Sequence, residues 1–354
     1  MRRPSNLKVS AGRSPRLMKR AFFFACSLSL FVLSACAQDT PQGFLEPEGP
    51  IARRADQLWD VTFAIAVVIF VIVQGLLIFA IIRFRERPGR EARQFHGNTK
   101  VEIVLTVIPA LILAGLAVPT VSTVMALSKK PTGDILEIKV LARQFWWEYE
   151  YTDLGVITAN EMHVPVDTPV YLTLEGDDVI HSFWIPKLTG KQDVVPGRTN
   201  NMQFEAENAG ETYLGQCTEY CGLSHANMRI RVYTHTQEEF DNWVASQKEP
   251  ASRPTGALAR EGERIFMEEQ LPAGGQCINC HAIQGTDAQA RTGPDLTHFA
   301  ARETFAGAIF QNSPDALGAW LRDPPGVKPG SLMPDYGLSE EQIEALVAYL
   351  RSLD

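Results

Sequence analysis

Two stretches settle the chain's relation to water before anything else about its fold. Val61 to Ile82, VTFAIAVVIFVIVQGLLIFAII, runs 22 residues without a charge, and Ile103 to Leu127 is nearly as apolar. At a helical rise of ~1.5 Å per residue, each is long enough to cross a hydrocarbon layer of ~30 Å. Pro109 and Pro119 lie inside the second stretch, where membrane helices tolerate proline better than soluble ones do. The connecting segment RFRERPGREARQFHGNTK carries Arg83, Arg85, Arg87, Arg90, Arg93 and Lys100 against Glu86 and Glu91. Such an excess of cations belongs on the cytoplasmic side, which leaves both ends of the hairpin outside. Residues 55–128 are therefore expected to form a two-helix transmembrane hairpin. Glu102 stands at the cytoplasmic mouth of the second span. It reads either as a boundary carboxylate solvated at a helix end or as a proton-uptake group, since ionisable residues at membrane depth tend to serve function.

Upstream, Met18, Lys19 and Arg20 precede an apolar run from Ala21 to Leu33 that is too short to span a bilayer. This pattern reads as a secretory signal over residues 1–36, with Met18 a second candidate for the start. Its end, Leu33-Ser34-Ala35-Cys36, resembles a bacterial lipoprotein cleavage box with Cys36 as the lipidated residue; an ordinary signal with an incidental cysteine is the plainer alternative. Export places the C-terminal bulk on the extracytoplasmic face of a bacterial plasma membrane. A net charge of −8 without a basic stripe argues against nucleic acid as a partner.

Beyond the hairpin the pattern changes. DILEIKVLA, QFWWEYEY, PVYLTLEG, NNMQFEAE, ETYLGQC and NMRIRVYTH read as short strands punctuated by Gly, Pro, Asn and Asp, which predicts a β-sandwich or barrel over residues 133–235. Thr236-Gln237-Glu238-Glu239 forms a capping box that opens a short helix through Trp243, and a proline-bearing linker completes residues 236–258.

Six cysteines occur, and four of them travel in pairs beside histidine rather than scattered as a disulfide framework. In QCTEYCGLSHANM, Cys217, Cys221, His225 and Met228 crowd one loop, and His181 lies upstream in DDVIHSFWIP. A Cys217–Cys221 disulfide suits the outside compartment, and a C-x-x-x-C pair also occurs in thioredoxin-like copper chaperones. Zinc has no use for a thioether, whereas thiolate, imidazole and a weak methionine together select copper. Two thiolates allow a pair of bridged copper ions, with Met228 completing one and the Glu219 carbonyl the other.

His181 with the run Cys217 to Met228 resembles the binuclear CuA motif of cytochrome c oxidase subunit II. VEIVLTVIPALIL resembles that family's second transmembrane helix and QFWWEYEYTD its aromatic strand, so the resemblance covers residues 50–245. It implies a cupredoxin-like fold with bridging Cys217 and Cys221, His181, His225, Met228 and the Glu219 carbonyl as further ligands, and a magnesium shared with subunit I at the Glu219 side chain. It also implies that Glu102 lies at the mouth of a proton-uptake channel. Where many relatives that accept electrons from soluble cytochrome c carry tryptophan, this chain has Phe145, with Trp146 and Trp147 beside it; these three are the candidates for electron input.

The last segment carries Cys277-Ile278-Asn279-Cys280-His281, the C-x-x-C-H pattern of covalent haem c attachment. By itself the pattern also suits a redox dithiol or half a zinc site. The flanks GERIF, TGPDLT and PGSLMPDYGLS resemble those of class I cytochromes c. That resemblance implies a small all-α domain over residues 259–354, with His281 the proximal ligand and Met333 the distal one. Imidazole plus thioether saturates the iron and suits electron transfer. Ser339 caps a final helix presenting Ile343, Leu346, Val347 and Leu350, expected to pack on the helix containing GERIF. Met267, ten residues before Cys277, reads as core. His96, His163, His235 and His298 read as surface or core residues without a clustered partner.

The expected whole is an oxidase subunit II passing electrons from its own haem c through CuA to haem a of subunit I, where oxygen is reduced with proton translocation. Its expected partners are subunits I and III and an upstream donor, such as a soluble cytochrome c or the quinol–cytochrome c reductase. A membrane-anchored copper and haem carrier outside any oxidase is the alternative. Nitrous oxide reductases lack this hairpin, and a C-x-x-x-C chaperone carries no haem domain.

Overall fold

The computed structural model describes residues 40–86 and 96–354, together with Phe23, Ser27 and Gly89. The leader reading, with Met18, Cys26 and Cys36, lies outside the described residues, as do Arg87, Arg90, Glu91 and Arg93. The residues from Gln42 to Asp354 form one unit.

Two long helices open it, α1 (Pro50–Arg83) and α2 (Thr99–Leu127). Pro50 sits in the first turn of α1, where its missing N–H costs nothing. Asn98 caps α2 by accepting from the Lys100 and Val101 amides. At 34 residues α1 is about 50 Å long, so it overhangs an apolar layer of ~30 Å. Ile72, Leu76, Ile81, Leu105, Leu111 and Leu113 all stand exposed along the pair, an apolar surface that water does not tolerate and lipid does.

The outer ends of both helices are tied to the β-domain. Glu48 accepts from Lys187 Nζ at 2.7 Å and from the Tyr213 hydroxyl at 2.9 Å, and Arg53 pairs with Glu207. Gln203 Nε2 donates to the Leu127 and Lys129 carbonyls at 2.9 and 3.0 Å. Arg83 and Thr99, the helix ends that face the connecting segment in sequence, are thus the ends away from the β-domain.

The β-domain is a sandwich of two five-stranded sheets. One runs β3 (Val156–Ala159), β2 (Trp146–Tyr151), β1 (Leu136–Arg143), β5 (Val170–Gly176), β8 (Asn200–Phe204). The other runs β4 (Glu161–Pro165), β10 (Arg229–His235), β9 (Thr212–Cys217), β6 (His181–Trp184), β7 (Lys191–Val194). Alternation drives the packing: Ile138, Val140 and Ala142 of β1 and Leu172 and Leu174 of β5 are fully buried. Six strands follow the sequence pattern. Strands β3, β4, β6 and β7 escape it, because each is only four or five residues long and three of them are buried on both faces, which removes the alternation.

Helix α3 (Gln237–Gln247) starts on the Thr236–Glu239 capping box and runs four residues beyond Trp243, burying Phe240 and Val244. Here one expectation is corrected. Parallel pairing of β10 with β4 sets Tyr233 opposite His163 and His235 opposite Pro165. His163 Nδ1 and His235 Nε2 then lie 2.8 Å apart, and Trp243 stacks on His163 at 4.4 Å. The two histidines are partners that only strand register creates. Burial pushes the His163 pKa down to about 3 and lowers that of His235 as well, so the rings share a proton as neutral imidazoles.

In the C-terminal domain, α4 (Ala257–Glu268) crosses α7 (Glu340–Leu350), with α5 (Pro314–Arg322) and the single turn α6 (Pro324–Val327) between them in sequence. A two-residue pairing, β11 (Thr304–Phe305) with β12 (Phe310–Gln311), departs from the all-helical expectation. Ser339 caps α7 through a capping box with Gln342. The α4–α7 crossing depends on Gly262, where an added Cβ would collide with the Ala345 carbonyl and lie 2.7 Å from Tyr349 Cβ. Gly262→Val is expected to cost ~3 kcal/mol by overpacking and to lower the thermal midpoint of this domain. A melt of the full chain followed by circular dichroism, with an unchanged midpoint, would show that the helices can part without penalty.

Candidate functional site

Strand β9 ends at Cys217, and the chain loops back through a short 3-10 turn, His225–Asn227, into β10. The Cys217 amide donates to the Met228 carbonyl at 2.9 Å, closing the loop at its base. Strand β6 pairs with β9 so that Phe183 faces Cys217, which carries His181 to the same end of the sandwich. The geometry follows from this closure. Cys217 Sγ lies 3.9 Å from Cys221 Sγ, 3.9 Å from His181 Nδ1 and 3.2 Å from the Glu219 carbonyl. Cys221 Sγ lies 3.7 Å from His225 Nδ1 and 3.9 Å from Met228 Sδ. All the soft donors singled out in the sequence, and the backbone oxygen of Glu219, thus converge on one site.

Both cysteines are free and buried. Their 3.9 Å separation is nearly twice a disulfide bond of ~2.05 Å. It is within the span of two metal–thiolate bonds of ~2.3 Å to one shared ion. The thiol–imidazole separations of 3.7 and 3.9 Å suit an ion bonded to sulfur at ~2.3 Å and to nitrogen at ~2.0 Å. The donor set therefore fits a thiolate-bridged copper pair.

The two sulfurs cannot both carry charge cheaply at this distance without metal. The Cys221 thiol beside it holds Cys217 far below the usual thiol range, to about 3, helped by His181 and by the backbone of Ser182 and Glu219. Cys221 is pushed up, first by Cys217 and then by burial, and keeps the proton. Burial alone depresses His181, but the Asp178 carboxylate and Cys217 outweigh it and push the imidazole up to about 8. Asp178 is the functional residue the sequence analysis missed. Its Oδ1 accepts from His181 Nε2 at 2.9 Å and from the Val179 amide at 2.6 Å, and its Oδ2 from the Gln144 amide at 2.6 Å. It fixes the His181 ring so that Nδ1 faces the sulfurs, as carboxylates behind ligating histidines do. A carboxylate three residues before a candidate histidine was the available signal.

The Glu219 side chain is exposed, and Tyr220 and Leu223 beside it are 73% and 77% exposed, an apolar rim over the buried donors. Glu102 lies in the first turn of α2, at the end away from the sandwich, with its side chain exposed. A carboxylate there also complements the helix dipole.

A second centre lies in the C-terminal domain. Cys277, Cys280, His281 and Met333 line one cavity of about 330 Å³, with Leu296, Phe299, Trp320 and Leu346 among its apolar walls. His281 Nδ1 donates to the Pro294 carbonyl at 2.8 Å, which leaves Nε2 free to ligate. An added Cβ at Gly293 would lie 2.7 Å from His281 Cε1, so the TGPDLT loop presses directly on the ring. Burial lowers the His281 pKa and raises that of Cys277 to about 12. Apolar walls, a neutral oriented imidazole, a facing thioether and two thiols fit a covalently attached haem. Met267 packs partly buried against the same core.

The three candidates for electron input are all buried: Phe145 at 6% exposure, Trp146 at 8% and Trp147 at 0%. Phe145 and Trp146 line the C-terminal cavity together with Arg143, Gln144 and Asp178, so the β-domain supplies one of its walls. Trp147 instead faces inward, edge-on to His181 with ring centres 5.9 Å apart.

Three family profiles match the chain: cytochrome c oxidase subunit II, transmembrane domain, over residues 37–123; the periplasmic domain of the same subunit over 156–235; and cytochrome c over 259–354. Cytochrome c oxidase subunit 2 of Alkalihalophilus pseudofirmus is 38% identical over 94% of this chain and 96% of that one. The same subunit of Bacillus sp. strain PS3 is 42% identical over 76% and 80%. Among solved structures, the periplasmic domain of subunit II of cytochrome oxidase of Bradyrhizobium japonicum is 35% identical, covers 33% of this chain and 96% of its own, and has a TM-score of 0.32.

Asp178→Asn is expected to weaken copper binding ~10- to 100-fold, the usual cost of removing a carboxylate behind a ligating histidine. Competition against a chelator measures this, and unchanged affinity would remove Asp178 from the site. Because His181, held up to about 8, must lose its proton to ligate and Cys221 must lose its own, apparent copper affinity should rise as pH is raised toward about 8, with proton release on uptake. Affinity that is flat up to that pH would mean that His181 is already neutral and both sulfurs already ionised.

Proposed function

The chain belongs to the cytochrome c oxidase subunit II family and carries a cytochrome c domain, and from that premise we propose how its residues divide the work. It is a membrane-anchored subunit of a haem–copper terminal oxidase, which implies subunit I as its neighbour. Cys217, Cys221, His181, His225, Met228 and the Glu219 carbonyl would hold the copper, whose chemistry there would be one-electron transfer. Cys277 and Cys280 would attach the haem c, and His281 and Met333, which line the same cavity, would ligate its iron. When bound, these groups supply one-electron carriers that relay electrons from a donor toward haem a of subunit I, where oxygen becomes water.

The protein's own contribution is preorganisation. Asp178 holds the His181 tautomer, and the Pro294 carbonyl holds that of His281. Burial of Cys217, Cys221 and Met228 keeps water from the copper donors, which limits the solvent reorganisation that accompanies each change of charge. The apolar cavity walls do the same for the haem.

The observation that carries this reading is the convergence of free, buried Cys217 and Cys221 with His181, His225 and Met228 at 3.7 to 3.9 Å. Further parts belong to the same reading. The exposed Glu219 side chain takes a magnesium shared with subunit I, and Glu102 feeds a proton-uptake path. Subunit III completes the complex in a bacterial plasma membrane, with a soluble cytochrome c or the quinol–cytochrome c reductase as donor. A free-standing carrier is not favoured, because the similarity to oxidase subunits runs through the hairpin as well as the external domains.

Electron paramagnetic resonance of the copper-loaded chain should give a seven-line hyperfine pattern from one electron shared by two nuclei. Metal analysis should find two coppers and one iron per chain. A four-line spectrum, or a single copper at saturation, would reject the binuclear assignment.

A further inference from the structure

The sandwich and the C-terminal domain do not merely share a linker; they are docked through buried charged groups. Glu161 of β4 is 2% exposed and accepts from the Thr304 amide and hydroxyl, both at 2.6 Å, and from the Glu303 amide at 3.3 Å. Tyr233 donates to Glu303 at 2.9 Å. In the opposite direction, Lys328 of the C-terminal domain is 3% exposed, and its Nζ donates to the Phe145 carbonyl at 2.6 Å and to the Ala306 carbonyl at 2.8 Å. One of those carbonyls belongs to each domain.

What lies around Lys328 gives this contact its meaning. The Phe145 ring sits between two glycines, both at positive φ. An added Cβ at Gly222, next to Cys221, would lie 3.0 Å from Phe145 Cζ; one at Gly330, three residues before Met333, would lie 3.3 Å from Cε2 and 2.9 Å from Leu223 Cβ. Ser224 donates to the Pro329 carbonyl at 2.6 Å, and the Arg229 amide to the Gly307 carbonyl at 3.0 Å. The loop leading to the proposed distal haem ligand therefore rests on the loop that holds the proposed copper thiolates, with one aromatic ring between them.

We propose that Lys328 is a positioning residue for electron delivery: held between the Phe145 and Ala306 carbonyls, it selects the single docked arrangement in which the Met333 loop presses on the Phe145 ring beside Cys221. The inference rests on the ligand assignments above and adds a fixed geometry to them. Its physical basis is selectivity rather than stabilisation. Both partners of the ammonium are neutral carbonyls, and burial pushes its pKa down to about 7, so its burial is costly. A slipped docking takes both acceptors from this amine, which must then leave its N–H groups unsatisfied or give up its proton. A flexible tether alone would leave many orientations populated.

The test uses the full chain assembled in the oxidase, loaded with both metals, with the haem c reduced by a flash-excited ruthenium photoreductant regenerated by a sacrificial amine donor, and its reoxidation by copper followed optically. The wild-type rate should be independent of solvent viscosity, because no domain search precedes transfer. Lys328→Met should slow transfer by about tenfold or more and make it viscosity-dependent, the expected penalty for lost orientation. The seven-line copper signal and the methionine–iron charge-transfer band should be unchanged. Lys328→Gln, which keeps an N–H donor, should be affected less, and it carries the test should the Met variant fail to load. A wild-type rate that itself depends on viscosity, or loaded variants that transfer as fast as wild type and without viscosity dependence, would overturn the proposal. A wild-type chain with both centres loaded and no transfer between them would instead overturn the ligand and relay assignments.

Discussion

Two sulfur atoms held 3.9 Å apart in a buried loop are the constraint on which the external half of this protein is arranged. Thiolates at that distance repel, and in a dry site the repulsion is strong. Without metal the pair resolves it by keeping one proton, on Cys221, while Cys217 is ionised. Metal ions resolve it by replacing that proton with positive charge. The sandwich serves this conflict. Strand β9 delivers Cys217, β6 delivers His181, and the closure of the loop onto Met228 brings the second sulfur beside the first.

The second centre obeys the same logic with different parts. A histidine in an apolar cavity has two nitrogens, and its orientation is undetermined until one of them is engaged. The Pro294 carbonyl engages Nδ1, and Gly293 permits the approach because it has no Cβ to strike the ring. At both centres a group behind the proposed ligand, Asp178 in one and a backbone carbonyl in the other, decides which nitrogen is left to ligate. The ligands define what binds, and these supporting groups define how.

Between the centres lies an interface with charge in its interior. Glu161 reaches from the sandwich into the C-terminal domain and Lys328 reaches back, but the two do not pair with each other. Each instead satisfies backbone groups of the opposite domain. The arrangement buries Phe145 and Trp146, so the aromatic patch expected to receive electrons from outside is covered by the chain's own C-terminal domain.

By itself the sequence determined whatever depends on residue type and short spacing. An uncharged run of 22 residues reads as a membrane helix, because an isolated run can satisfy its own backbone in lipid only as a helix. The spacing of Cys217, Cys221, His225 and Met228, and that of Cys277, Cys280 and His281, narrows the chemistry to a few choices, because a single loop must bring those donors together. The two capping boxes at Thr236 and Ser339 were legible for the same local reason. Only the tertiary structure decided what depends on register and docking. His163 finds His235 across 72 residues because β4 and β10 pair in parallel. Strands β3, β4, β6 and β7 are too short, and mostly too uniformly buried, to leave an alternating trace. Lys328 meets Phe145 across 183 residues, and Glu161 meets Thr304 across 143. A lone lysine or glutamate has no periodicity to announce its partner, so contacts between domains stay silent until the chain has folded.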